Sequence, residues 1–254
     1  MDRNAEVKPL GELRVLVTAG STWTKIDEVR VITNVFTGNT GIGIAKHFVA
    51  KGIATTLLYN PRINHVDPHP GLKIVDYVTY EDLYARMQEE ICSGSYDVVI
   101  HSAAVSDYGA QVKQLVEVDT PEIQSLVKAG YRVFQEVTNV PGKIKSDLPE
   151  LTLTMTKTDK IVDFVKAWCP GICLVKFKLE VDRTYSSLVE VAQHSQKTSK
   201  ADLIVANDLH GQKNGIPPAL ILEGENLEEI GNREFLPSRL FDRVMDLLGK
   251  RPNA

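Results

Sequence analysis

The run Leu13–Thr18 (LRVLVT), short, rich in β-branched residues and ending in Ala19-Gly20-Ser21-Thr22, restricts the fold more than any other part of the chain. A strand without polar alternation is buried on both faces, as the strands of a parallel sheet are, and a tight glycine turn at its end suits the start of such a sheet. Gly41–Lys51 then reads as a helix. Ile42, Ile44, Ala45, Phe48 and Val49 form its apolar face, and Gly52 stands where a left-handed terminating residue belongs. Further strands are expected at Thr55–Tyr59, Lys73–Val78 and Asp97–His101, with a helix over Tyr80–Cys92. Strands alternating with helices imply parallel βαβ units. The expected class is therefore α/β, a Rossmann-like mostly parallel sheet flanked by helices.

The middle is less regular. Pro121–Ala129 reads as helix, Tyr131–Glu136 as strand, and Glu150–Thr156 alternates polar with apolar residues as a half-exposed strand does. Thr158–Trp168 is a helix, Gly171–Phe177 a strand, Ser186–Lys197 a helix, Leu203–Ala206 a strand, and Pro237–Leu248 a closing helix. With no repeat, low-complexity stretch or linker in 254 residues, a single domain over 1–254 is expected, with a mixed region near 107–157 projecting from it. A net charge of −4 offers no basic stripe for nucleic acid, and neither a signal core nor a membrane-length apolar run is present, so a cytoplasmic protein is expected. Cys92, Cys169 and Cys173 are too few for a disulfide framework and match no common zinc spacing.

Four places suit chemistry. Gly20 and Ser21 follow the first strand, where open α/β sheets bind ligands. Thr37–Gly43 (TGNTGIG) opens a helix, so its glycines let backbone N–H groups approach an anion. It is not a dinucleotide fingerprint, because it lies too far past the strand. Ser102–Tyr108 (SAAVSDY) ends another strand, with small residues that leave room for a flat ring and Asp107 able to accept from a ligand hydroxyl or amine. Lys143 and Lys145, two apart in an extended segment, suit a phosphate clamp; each of these features also has an ordinary structural explanation. His65-Val66-Asp67-Pro68-His69 reads as a polar loop rather than a metal site, lacking a third histidine nearby. A short-chain dehydrogenase needs a tyrosine with a lysine four residues on, and Tyr108 with Lys113 misses that spacing.

In order and spacing these pieces resemble phosphopantothenoylcysteine synthetase. TAGSTWTKIDEVRVITNVFTGNTG (18–41) is similar to the family's opening motif, with Asp27, Arg30, Asn34, Thr37, Gly38 and Gly41 in step. Residues 102–108, KIK (143–145), VKFKLE (175–180) and DLIVAND (202–208) resemble its later motifs. The resemblance implies that a substrate carboxylate attacks a nucleoside triphosphate, pyrophosphate leaves, and the amine of cysteine displaces the nucleotide. It implies catalytic roles for Lys143 in the first step and Asn34 in the second. Nucleotide binding falls to Gly20, Ser21, Ala103, Ala104, Val105, Ser106, Asp107, Tyr108 and Lys145. Phosphopantothenate binding falls to Thr37, Gly38, Gly41, Phe177 and Asn207. Magnesium on the triphosphate and a homodimer are implied, with no metal ligands in the protein. CTP and ATP both stay open.

Ser21-Thr22-Trp23-Thr24 replaces the family's Gly-Thr-x-Glu, Asn39 a basic residue, and Lys157-Thr158-Asp159-Lys160 its Lys-x-Pro-Asp. These departures keep a second reading in view, a relative that binds nucleotide or a phosphorylated ligand without turnover. The stretch ahead of Leu13 is short, so the family's fused flavin domain, and FMN with it, is not expected.

Overall fold

The computed structural model describes residues 8–93, 96–117, 120–138, 142–144 and 151–249. The chain divides into two compact units, one of Met1–Thr22, Val35–Val105 and Lys160–Ala254, the other of Trp23–Asn34 and Ser106–Asp159. The stretch expected to project is thus grouped with a short segment from far earlier in the chain.

In the first unit, β1 (Arg14–Ala19), α1 (Asn39–Ala50), β4 (Ala54–Tyr59), β5 (Leu72–Asp76), α2 (Tyr80–Cys92), β6 (Val98–His101), α4 (Ile161–Trp168), β10 (Cys173–Glu180), α5 (Tyr185–Ser199), β11 (Leu203–Asp208), β12 (Ala219–Glu223), β13 (Asn226–Ile230) and α6 (Leu236–Leu247) follow one another. In the second, β2 (Trp23–Lys25) pairs with β3 (Val31–Thr33). A three-stranded antiparallel sheet there joins β7 (Tyr108–Glu117), β8 (Phe134–Thr138) and β9 (Thr152–Lys157), with the single-turn α3 (Gln124–Lys128) between β7 and β8.

The large sheet runs β13-β12-β11-β10-β6-β1-β4-β5. Its six strands from β11 to β5 are parallel, while β12 and β13 are antiparallel and close one side. Counted along the chain, the parallel strands take the order 3-2-1-4-5-6 of a doubly wound nucleotide-binding sheet. Its topological switch point falls between β1 and β6. The sheet buries both faces. One carries Val15, Val17, Ile100 and Val175 under α1 and α6, where Phe48 meets Phe241 edge-on at 5.2 Å. The other carries Leu16, Val99 and Leu174 among the side chains of α2 and α4, and α5 packs beside β11. This two-sided burial is why the central strands read as unbroken apolar runs.

Of the expected helices α2 keeps both its bounds, whereas α3 begins at Gln124 rather than Pro121 and α4 at Ile161 rather than Thr158. α1 begins two residues before the expected Gly41, at Asn39, and Gly52 follows its end at φ +79°. α2 is fixed at its start by a reciprocal pair: Thr79 Oγ1 accepts from Asp82 N–H, and the Asp82 carboxylate accepts from Thr79 N–H. The tail past residue 210, left unassigned by sequence apart from its last helix, supplies the β12–β13 hairpin. Among the described residues no helix is long and apolar enough to cross a membrane.

Candidate active site

Gly20 and Ser21 leave β1 and Ser102–Val105 leave β6, so the structure brings these two predicted segments together at the switch point. Ala104 N–H donates to the Gly20 carbonyl at 2.9 Å, Thr22 N–H donates to the Ala104 carbonyl at 3.3 Å, and Ser21 and Ala104 form a parallel bridge. Ser21 Oγ donates to the Phe36 carbonyl at 2.7 Å, and the Asn60 amide donates to the Ser21 carbonyl at 2.8 Å. Tyr77, 2% exposed, sets its hydroxyl 2.7 Å from the Ala19 carbonyl and 2.9 Å from that of Gly20. Burial holds its phenol far above the ordinary range, so this donor keeps its proton. Hydrogen bonds from within the unit thus fix the backbone of this edge, as precise placement of a ligand requires.

Gly38 and Gly41 are required by packing. A Cβ on Gly38 would lie 2.3 Å from Gly20 N and 2.7 Å from Gly20 Cα, and one on Gly41 would lie 2.8 Å from Ala19 Cβ and 2.9 Å from the Thr18 carbonyl oxygen. Their absence lets the start of α1 press directly on the end of β1. Gly38, at φ +82°, is the N-cap; it supplies no side-chain cap, and the first turn contains no acidic residue. That start carries backbone N–H donors without intrahelical partners and the positive end of the helix dipole, the arrangement that attracts a phosphate. Thr37 is exposed, and Asn39 accepts from the Asn64 amide at 2.7 Å. The residue standing in place of the family's basic one is thus tied to the neighbouring loop.

Beneath the other strand end lies a polar row. Thr18, His101 and Lys176 are in register across β1, β6 and β10, one step beyond the apolar row Leu16, Val99 and Leu174 on the same face. All three are under 10% exposed. Ala103 N–H donates to Thr18 Oγ1 at 3.1 Å, and Thr18 Oγ1 is 3.0 Å from His101 Nδ1. The threonine hydroxyl has one proton and two lone pairs, so with Ala103 donating it can still give its proton to Nδ1 or accept from Nδ1–H, and a neutral imidazole satisfies either arrangement. Burial, with the Lys176 cation adding to it, pushes His101 down to about 4 and keeps it in that form. Burial also lowers the Lys176 ammonium, opposed by the Asp163 carboxylate 3.9 Å away. Sequence reasoning passed over Thr18 and His101. The signal was there, as polar residues ending two otherwise apolar strands.

Phe177 and Asn207 occupy the face that α1 covers. Phe177 is opposite Val205, so Asn207, two residues further along β11, is its diagonal neighbour. Asn207 is 8% exposed. Three strand spacings, about 14 Å, separate β11 from β1, where the start of α1 sits. The helix start and Asn207 therefore stand about 14 Å apart along the carboxyl edge of the sheet.

In the second unit, Asp27 and Arg30 form a clamp. The Asp27 side chain is fully buried and accepts from Val29 N–H at 2.8 Å, Arg30 N–H at 2.7 Å, Arg30 Nε at 3.0 Å and also Arg30 Nη2. It accepts from Ile144 N–H at 2.9 Å as well, while Arg30 Nη2 donates to the Ile144 carbonyl at 2.9 Å. The guanidinium first, with the backbone donors behind it, holds the Asp27 carboxyl far below the usual range despite its desolvation. Both polar groups of Ile144 are thereby fixed, and with them the backbone beside Lys143. The Lys143 side chain is exposed and has no partner among the described residues; Lys145 lies outside them. Asn34 is exposed just after β3. The sequence placed Asp27 and Arg30 in step with a motif without showing their task, because their partner is more than 100 residues away.

Ser106, Asp107 and Tyr108 also belong to this unit. Thr158, from a segment that departs from the family pattern, donates its N–H to the Asp107 carbonyl at 2.9 Å and its hydroxyl to the Ser106 carbonyl at 2.8 Å. Thr24 Oγ1 lies 3.2 Å from both Ser106 Oγ and the Tyr108 carbonyl. The Asp107 carboxylate caps nothing among the described residues and is exposed, as is Tyr108. In the loop of the first unit, His65 Nε2 is 3.3 Å from Asp67, both well exposed, and His69 contacts the Pro70 carbonyl. No group of three or more potential metal ligands occurs among the described residues.

The chain matches the family model described as DNA/pantothenate metabolism flavoprotein C-terminal domain, over residues 10–119 and 112–219. Coenzyme A biosynthesis bifunctional protein CoaBC of Thermococcus kodakarensis is 32% identical over 253 residues, 97% of this chain and 54% of that protein. Its namesake in Escherichia coli is 27% identical over 249 residues, 94% of this chain and 53% of that protein. The chain spans about half the length of these relatives. A solved DNA/pantothenate metabolism flavoprotein from Streptococcus pneumoniae superposes with a TM-score of 0.74 at 33% identity, covering 92% of this chain and 99% of that one. A Cab2 mutant in complex with phosphopantothenate-cysteine shares the fold, with a TM-score of 0.65 at 16% identity over 94% of this chain and 88% of that one.

Proposed function

The chain belongs to the DNA/pantothenate metabolism flavoprotein C-terminal domain family, and from that premise we propose that it ligates L-cysteine to 4′-phosphopantothenate, a step of coenzyme A biosynthesis. The observation that carries the proposal is the close seating of Gly38 and Gly41 on β1 at the switch point, which presents the uncapped start of α1 to an anion.

The phosphate of the substrate binds at that helix start, with Thr37, Gly38 and Gly41. Phe177 and Asn207, about 14 Å along the same edge, meet a more distant part of an extended ligand. The nucleoside of CTP or ATP lies against Gly20, Ser21 and Ala103–Val105, whose backbone the Tyr77 and Thr18 hydrogen bonds hold. Ser106, Asp107, Tyr108 and Lys145 act on the same cosubstrate, with Asp107 accepting from a hydroxyl or amine. Magnesium accompanies the triphosphate as its counter-ion. Lys143 stabilises the charge that grows as the carboxylate attacks the α-phosphate and pyrophosphate departs. Asn34 holds the resulting mixed anhydride for attack by the amine. The active form is a cytoplasmic homodimer.

Separated half-reactions test these roles. Lys143→Gln is expected to suppress pyrophosphate release in the absence of cysteine, whereas Asn34→Asp leaves that release and slows cysteine-dependent release of the nucleoside monophosphate. Equal loss of both steps in both variants would refute this division of labour.

A further inference from the structure

At the carboxyl edge of β10 and β11 stands a histidine–carboxylate pair that no step above uses. His210 Nδ1 is 2.8 Å from Asp182 Oδ1. Asp182 lies in the loop after β10 and has φ +54°, a left-handed conformation that only one other non-glycine residue, Lys200, adopts among the described residues. Asp208 locks the two loops to each other: its carboxylate accepts His210 N–H at 2.9 Å and Arg183 N–H at 2.9 Å. Leu209 N–H donates to the Glu180 carbonyl at 2.8 Å, and Lys213 N–H donates to the His210 carbonyl at 3.0 Å. Glu180 itself is occupied by Lys178 at 2.8 Å and Arg183 at 2.9 Å. The nearby cations are thus engaged by Glu180, and Asp182 is left to the imidazole.

Donation from Nδ1–H to Asp182 fixes the tautomer and leaves the lone pair on Nε2, which has no partner among the described residues. The side chain is 45% exposed, so a ligand along this edge can reach it. It follows Asn207 by three residues. An imidazole whose far nitrogen is oriented by a carboxylate, with its near nitrogen open to a ligand-binding edge, is the arrangement of a general base.

We propose that His210, oriented by Asp182, removes the proton from the attacking amine in the amide-forming step; the inference rests on the ligase reading. The cysteine ammonium gives a proton to Nε2, and the freed nitrogen lone pair attacks the acyl carbon of the mixed anhydride. As the tetrahedral species collapses, the acyl C–O bond breaks, its electron pair leaves with the nucleoside monophosphate, and the remaining excess proton passes to solvent. His210 is then a catalytic residue and Asp182 a positioning residue.

The test compares the full chain with His210→Gln and Asp182→Asn, the latter chosen because asparagine tolerates the left-handed backbone. His210→Gln is expected to slow cysteine-dependent nucleoside monophosphate release by about 100-fold or more, while cysteine-independent pyrophosphate release stays within about threefold. Asp182→Asn is expected to act in the same direction by a smaller factor. Hydroxylamine, already unprotonated at neutral pH, needs no base and is expected to discharge the intermediate equally in all three proteins. Three results would overturn the assignment: an unchanged cysteine-dependent rate in His210→Gln, equal slowing of both half-reactions, or equal slowing with hydroxylamine and cysteine. Absence of pyrophosphate release from the unaltered chain would instead remove the ligase reading itself.

Discussion

Three glycines of one heptapeptide, each changed to alanine, separate packing from chemistry at the switch point. At Gly38 an added Cβ meets the backbone of Gly20 at 2.3 and 2.7 Å, and the residue sits at φ +82°. The left-handed backbone costs about 1–2 kcal/mol and overpacking against atoms that cannot swing aside about 1–3 kcal/mol, so Gly38→Ala loses about 2–5 kcal/mol. At Gly41 the Cβ meets Ala19 Cβ at 2.8 Å and the Thr18 carbonyl at 2.9 Å, but the residue is helical. The same overpacking, offset by about 1 kcal/mol of helix propensity, leaves a loss of about 0–2 kcal/mol. Gly43 has nothing within 4 Å, so Gly43→Ala gains up to about 1 kcal/mol. Urea denaturation with matched m-values measures the series, and phosphopantothenate affinity should fall in the same order because the helix start is displaced to that degree. Gly38→Ala within about 0.5 kcal/mol of the unaltered chain would refute the close-seating argument.

His101 titrates at about 4 in the fold against 6.5 ordinarily. The unfolded chain therefore binds the extra proton between those values, stability is complete above 6.5, and about 3 kcal/mol is lost as pH falls to about 4. His101→Asn keeps an acceptor for Thr18 but cannot titrate, so urea unfolding at pH 7 and pH 4.5 should show a smaller drop; an identical drop would count against the neutral-histidine reading. For Asp27, held below its ordinary 3.8, the stabilisation is present above that value and is lost only as pH falls through the lower folded value. Hydrogen exchange at the Ile144 amide should accordingly stay slow from pH 7 down to about pH 4 and speed up in Asp27→Asn; equal exchange in both proteins would dismiss the clamp.

What the sequence disclosed followed local rules. β1, α1 with Gly52, and α2 were legible because burial on both strand faces and a helical apolar stripe leave patterns within a dozen residues. The β12–β13 hairpin was missed although its signal was present: Ala219–Glu223 and Asn226–Ile230 flank the two-residue turn Gly224-Glu225, with Gly224 at φ +61°. The three-residue strands β2 and β3 are too short to show a period. At the site, Gly38, Gly41, Ala103 and Ala104 could be named from composition and spacing, yet the reason for the first two, contact with Gly20 and Ala19, exists only in three dimensions. The Asp27–Ile144 and Thr18–Ala103 contacts span distances along the chain that no periodicity records.

Ligase turnover is measured by incubating the chain with phosphopantothenate, L-cysteine, magnesium and either CTP or ATP, and following pyrophosphate together with the mass of the amide product. Stoichiometric pyrophosphate and phosphopantothenoylcysteine are expected with at least one of the two nucleotides. Nucleotide binding without pyrophosphate release from either would contradict the ligase reading and favour a relative that binds without turning over.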